Sequence, residues 1–241
     1  MNAISPDMTI GDIVTRHPGT LPVFERLGID YCCGGGRPLH EALSAAGLDW
    51  PEVSAEIGAA LAEAADAPAQ PSWTDAPLTD LIGHIVGRYH GKLRELMPML
   101  SQMGQKVINA HGDRHPEVRD VASTFAGLRN ELESHMMKEE QVLFPFVEQL
   151  ESGLGHRHPM LGHISSPIAM MMQEHDSAGA ALATLRSATA SYTAPPDGCT
   201  TFTGYYDQLA VLERELHEHI HLENNILFPK AAALEARVMG R

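Results

Sequence analysis

His135-Met136-Met137-Lys138-Glu139-Glu140-Gln141-Val142-Leu143-Phe144-Pro145 and His219-Ile220-His221-Leu222-Glu223-Asn224-Asn225-Ile226-Leu227-Phe228-Pro229 decide the fold. The two stretches share His, Glu, Leu, Phe and Pro in register, and one interval separates both His135 from His219 and Glu139 from Glu223. Upstream of each, apolar residues recur at helical spacing: Phe125, Leu128 and Leu132 before the first, Leu209, Leu212 and Leu216 before the second. Two more stripes carry one histidine each. His90 stands among Ile82, Val86, Leu93 and Met97, and His175 among Ile168, Met171, Met172, Ala178 and Leu182. The interval between these two histidines is one residue longer, so a helix pair is duplicated. The four patterns run over 78–107, 117–151, 166–191 and 201–237, with Ser166 as a cap and Pro167 as a first residue for the third. Four long helices and three connections predict an all-α, up-down four-helix bundle.

Two carboxylates and four imidazoles on core-facing stripes need a reason. A buried, unpaired carboxylate costs several kcal/mol or changes its protonation state. No Lys or Arg lies on these stripes to neutralise Glu139 and Glu223. A metal would do so, and His-x-x-x-Glu sets both donors on one helix face one turn apart. His90, His135, Glu139, His175, His219 and Glu223 are therefore the candidate metal ligands, enough for two ions with each carboxylate able to bridge. Imidazole with carboxylate suits iron, manganese or zinc. The other ten histidines are read as ordinary; His17, His40, His111, His115, His156, His158 and His163 fall in turns or short helices. Met136, Met137 and Met170–Met172 read as core filling.

The chain has 241 residues with 17 Lys and Arg against 31 Asp and Glu, a net charge of -14 that argues against nucleic acid or an anionic membrane as partner. No apolar run approaches the roughly 18 residues a membrane span needs, and the start carries no signal-peptide pattern. Residues 1–62 read as a small helical unit with short helices near Ile10–Arg16, Leu21–Leu27, Leu39–Ala46 and Val53–Ala64. Asp49 would cap the fourth, and Pro38 would open the third. Residues 63–76, rich in Ala and Pro, read as a linker to the bundle at 77–241. Asp30-Tyr31-Cys32-Cys33-Gly34-Gly35-Gly36 is a flexible turn that leads towards a helix N-terminus, which would lower a thiol pKa. Cys32 and Cys33 are the candidate functional thiols. Cys199 receives no role, and three cysteines in this arrangement are no disulfide framework.

The C-terminal residues resemble a hemerythrin-like domain. With DYCCGG ahead of RYH, SHMMKEEQVLFP, QEHD and HIHLENNILFP, nearly the whole chain resembles the repair-of-iron-centres family of di-iron proteins. That resemblance implies two iron ions, oxo-bridged, held by His90, His135, His175 and His219 and bridged by Glu139 and Glu223. It implies a cytoplasmic protein that restores iron–sulfur clusters damaged by nitric oxide or peroxide. Two carboxylates against the four charges of two ferrous ions leave the iron under-neutralised, so donation of ferrous iron to the cluster is the expected route. Damaged iron–sulfur proteins are the expected partners, together with nitric oxide or oxygen and a second copy of the chain in a homodimer. An enzymatic alternative is reduction of nitric oxide to nitrous oxide, and a binding alternative is an oxygen or nitric oxide sensor. No fifth stripe histidine is found, unlike in oxygen-carrying hemerythrins.

Overall fold

The computed structural model describes residues 4–65, 72–153 and 162–239. His156 and His158 lie outside them; His163 lies inside and is exposed. The described residues are mostly helical, and Thr9 and Pro38 form an isolated β-bridge.

Four short helices come first: α1 (Ile10–Arg16), α2 (Leu21–Leu27), α3 (Leu39–Ala46) and α4 (Trp50–Ala65). The Thr9 side chain caps α1 by accepting from the Asp12 amide. Gly28 and Gly47, with φ of 66° and 68°, end α2 and α3 in the left-handed conformation that a side chain would strain. Pro38 is extended and precedes α3 rather than opening it. Ile10, Ile13, Phe24, Tyr31, Leu39 and Val53 bury a common core that Ile220 of the bundle completes.

The bundle helices are α5 (78–111), α6 (117–151), α7 (Ser165–Ala188) and α8 (200–239). α5 packs on α8 and on α6, and α6 packs on α7. α7 ends three residues before the predicted Ser191, because Ala190, Ser191 and Tyr192 adopt φ of 47°, 56° and 61°. Thr189 holds that turn, donating its hydroxyl to the Leu185 carbonyl and accepting from the Tyr192 amide. Ser166 caps nothing, since α7 already begins at Ser165.

Three of the four bundle helices contain a π-helical turn: Ile85–His90, Glu139–Leu143 and Glu223–Leu227. The latter two precede Pro145 and Pro229. A proline lacks an N–H and clashes with the carbonyl four residues back, so the helix widens there rather than breaking. In both copies the widened turn begins at the stripe glutamate.

The duplication extends to the caps. Glu151, at the end of α6, accepts from the Leu78 and Thr79 amides at 2.7 and 2.8 Å and from the Thr79 hydroxyl. Its counterpart Glu235 accepts from the Ile164 amide at 2.9 Å. A carboxylate from a neighbouring helix thus satisfies amides that a helix start leaves unpaired. Glu151 sits below the usual carboxylate range: partial burial opposes ionisation, but the two amides and the Thr79 hydroxyl outweigh it.

Two apolar layers stack along the bundle. One gathers Leu93, Leu100, Phe125, Leu132, Leu182 and Leu212; the other Leu81, Ile85, Phe144, Phe146, Ile168 and Leu227. Between them lie His90, His135, Glu139, His175, His219 and Glu223. Met136 and Met171 join the layers, but Met137, Met170 and Met172 are 50%, 53% and 43% exposed, so core filling does not describe those three. They occupy the solvent faces of α6 and α7; Met172, read as part of the α7 stripe, lies beside it rather than on it.

Candidate metal centre

Four helices each contribute an imidazole to one level of the bundle, and α6 and α8 add a carboxylate one turn further on. All six predicted residues converge there. His90 and His219 approach Nε2 to Nε2 at 3.2 Å, and His135 and His175 at 3.0 Å. Each pair takes one histidine from each half of the duplication. Glu139 turns Oε2 towards His90 at 3.4 Å and Oε1 towards His135 at 3.2 Å. Glu223 turns Oε1 towards His219 and Oε2 towards His175, both at 3.1 Å. The result is two quartets, His90–Glu139–His219–Glu223 and His135–Glu139–His175–Glu223, each with its ligand atoms within 4.8 Å of one another. Both carboxylates belong to both quartets, with one oxygen for each.

The surroundings fix three of the four ring tautomers. His90 Nδ1 meets Glu140 at 2.6 Å, and Arg94 donates to the same carboxylate oxygen at 2.7 Å. His135 Nδ1 meets Glu174 at 2.8 Å, and Lys138 pairs with that carboxylate. His175 Nδ1 donates to Asn224 Oδ1 at 2.8 Å. A ring that gives its Nδ1 proton to an acceptor presents a lone pair at Nε2. His135 and His175 thus face each other with two lone pairs 3.0 Å apart, which repel unless a positive charge stands between them, while His219 Nδ1 is buried without a partner. Glu139 Oε1 and Oε2 and Glu223 Oε2 have no hydrogen-bond partner, although both side chains are fully buried. Buried polar atoms are nearly always satisfied, so orphans at this density point to cations. The donor set fits two divalent ions that share the carboxylates.

The electrostatics agree. Burial pulls the His135 imidazolium down, but Glu139, Glu223 and Glu174 outweigh it and lift the pKa to about 9. His90 is likewise raised, burial being outweighed by Glu139, Glu223 and Glu140. Glu223 is held well below the usual carboxylate range, since His219 and His175 overcome its burial. The centre attracts positive charge.

Glu140, Glu174 and Asn224 escaped the sequence reading, which followed the stripes and left out the residues beside them. A signal was present: each stands next to a ligand-type residue, directly after Glu139 and Glu223 or directly before His175. Tyr89 is another, its ring stacked on His219 at 5.9 Å and 12°.

Cys32 and Cys33 stand outside the quartets. Their turn lies against α8: Asn225 donates to the Tyr31 and Cys32 carbonyls, and Asn224 to the Cys32 carbonyl. The expected drop in thiol pKa fails for Cys32. It is buried, six residues separate it from the α3 start, and Cys33, burial and Asp30 push its thiol up. Asp30 accepts the Cys32, Cys33 and Gly34 amides, so those N–H groups stabilise its carboxylate and not a thiolate. Gly35 is required for this approach, because a Cβ there would sit 2.4 Å from Asn225 Oδ1. His217 and His221 also face the small helical unit. His217 Nδ1 meets Glu25 at 3.0 Å, Tyr31 donates to Glu25 at 2.6 Å, and burial drops the His221 pKa to about 4.

No described helix is long and apolar enough to cross a membrane. Residues 81–231 match the hemerythrin HHE cation binding domain, and residues 6–61 match a domain of unknown function, DUF542. The chain is 38% identical over 229 residues to the iron-sulfur cluster repair protein YtfE of Citrobacter koseri, covering 95% of this chain and 98% of the relative. The protein of the same name from Escherichia coli O81 matches with the same identity and coverage. With its bundle matched as a cation-binding hemerythrin domain and both parts aligned to these relatives end to end, the chain belongs to the hemerythrin-type family of iron-sulfur cluster repair proteins.

Proposed function

We propose that this protein repairs iron–sulfur clusters damaged by nitrosative or oxidative stress, and that ferrous iron is the cargo it delivers. His90, His135, Glu139, His175, His219 and Glu223 hold two iron ions, and the bundle at 77–241 and the unit at 1–62, joined through 63–76, work together. The observation that carries this reading is the pair of buried carboxylates, three of whose four oxygens lack a hydrogen-bond partner, each with one oxygen turned to either histidine pair. Bound iron supplies a redox-active, exchangeable divalent ion. The residues of the chain do the rest. Glu140, Glu174 and Asn224 fix the rings so that Nε2 faces inward, and the apolar layers on either side keep water out.

Charge counting favours release. Four neutral imidazoles and two carboxylates offset half the charge of two ferrous ions, and an under-neutralised ion in a buried site is weakly retained. A cytoplasmic setting suits the three free cysteines, which a reducing compartment keeps as thiols.

The test begins with metal analysis and absorption spectra of the purified protein. Two irons with oxygen-to-iron charge-transfer bands are expected, the bands reporting an oxo bridge in the oxidised protein. Anaerobic reduction with a ferrous chelator present should then release iron. A nitrosylated iron–sulfur enzyme should regain activity when the ferrous protein is added. Iron that stays bound for hours, with no recovery of the damaged enzyme, overturns the donor reading. Nitrous oxide evolved from the ferrous protein and nitric oxide, without iron loss, would mark a reductase instead.

A further inference from the structure

The duplication exposes an asymmetry behind the single histidines. Behind His90 stand Arg94 and Glu140, paired at 2.7 Å and closing that side with charge. The equivalent positions behind His175 are Gly179 and Asn224. A Cβ at Gly179 would lie 3.7 Å from Cys33 Sγ, so where one half carries an arginine stem the other leaves room for a thiol. Cys33 Sγ contacts the His175 carbonyl at 3.6 Å. Asn224 joins the two regions, accepting from the His175 ring and donating to the Cys32 carbonyl at 3.3 Å.

The thiols are arranged for more than packing. Cys32 Sγ lies 3.8 Å from Cys33 Sγ and 3.3 Å from Asp30 Oδ1, and the three ligand atoms fall within 4.8 Å of one another. A cavity of about 410 Å³, bordered by Asp30, both cysteines, Asp176 and Gly179, opens beside them. Two soft sulfurs and one hard oxygen suit a borderline divalent ion such as ferrous iron.

We propose that Asp30, Cys32 and Cys33 form a second cation site, which receives ferrous iron as it leaves the His135–His175 end of the centre. This rests on the repair reading above. The ion stays divalent and no electron moves. Two Fe–S bonds form as the two thiols release their protons to water, and bonds to imidazole and carboxylate break behind the ion. Exit past His90 is opposed by the Arg94 charge and exit past His135 by Lys138, which leaves the His175 side, lined by Gly179 and Asn224, as the way out without a cation.

The full chain, reduced and anaerobic, is titrated with cobalt(II) while metal content and near-ultraviolet absorption are followed. Sulfur-to-cobalt charge transfer is expected beyond the amount the bundle takes up. The band should be lost in Cys32→Ser/Cys33→Ser and kept in Cys199→Ser. In the unaltered chain, cobalt should also block alkylation of the peptide containing both cysteines, a readout independent of any variant. Iron-loaded Cys32→Ser/Cys33→Ser should keep its bundle iron and release it more slowly to a ferrous chelator. A loaded bundle without a thiolate band, a band that survives the double substitution, or an unchanged release rate overturns this proposal while the repair reading stands. A bundle that binds no metal at all overturns both.

Discussion

Behind His90 the bundle places an arginine and a glutamate; behind His175, in the second copy of the same helix pair, it places a glycine, an asparagine and a cysteine from another part of the chain. The inward-facing residues are the same in both halves, and so are the capping glutamates and the prolines that widen α6 and α8. Duplication therefore preserved what a buried cation requires: imidazole, carboxylate and a dry surround. It left the outer partners free to diverge, because those positions need only an acceptor for a ring N–H. One half used the freedom for a charged seal and the other for an attachment point.

The largest effect should come from removing a shared carboxylate. Glu139→Leu or Glu223→Leu is expected to empty both metal positions, because each side chain serves both quartets. Metal analysis that finds half the iron retained would show the quartets to be independent. The apo form of either variant should unfold at no lower temperature than the unaltered apo chain, since an apolar side chain replaces a buried charge.

Exchanging the outer partners sharpens the comparison. Glu140→Gln should weaken metal binding at the His90 end by roughly 10–100-fold, the usual consequence of losing a partner behind a ligand histidine. Asn224→Ala should do the same at the His175 end and also increase hydrogen exchange in the Cys32–Cys33 turn. If Asn224→Ala leaves the turn protected, Asn224 is not the joint between them.

Gly35→Ala should destabilise the protein by about 1–3 kcal/mol, measured by urea unfolding, through the clash with Asn225.

The smallest effects concern the caps. Glu235→Ala should cost about 1–3 kcal/mol, because it leaves the Ile164 amide of a buried residue unpaired. Glu151→Ala should cost about 0.5–2 kcal/mol, since Leu78, one of the two residues whose amides it accepts, is buried while Thr79 and Glu151 itself are exposed. The Glu151 pKa is depressed on folding, so its contribution is present above the ordinary carboxylate value and lost as pH falls through the depressed one. The stability gap between Glu151→Ala and the unaltered chain should therefore close in strong acid.

The sequence by itself determined the four bundle helices, the three first short helices to the residue, and all six inward-facing ligand-type residues. Helical periodicity is a local property, and a polar residue repeated at a core position in two copies of one motif has few explanations. The π-turns at Glu139–Leu143 and Glu223–Leu227, read as ordinary helix, each precede the Phe-Pro of their copy, whereas the one at Ile85–His90 has no proline beside it and no such sequence mark. Tertiary structure alone decided the pairing of His90 with His219 and of His135 with His175, since both pairs cross between halves that no local pattern joins. It also decided that the thiol turn rests on Asn224 and Asn225, because that contact links positions nearly two hundred residues apart. Periodicity records which face of a helix is buried; what lies against that face depends on packing between distant segments, and there the second half acquired its different chemistry.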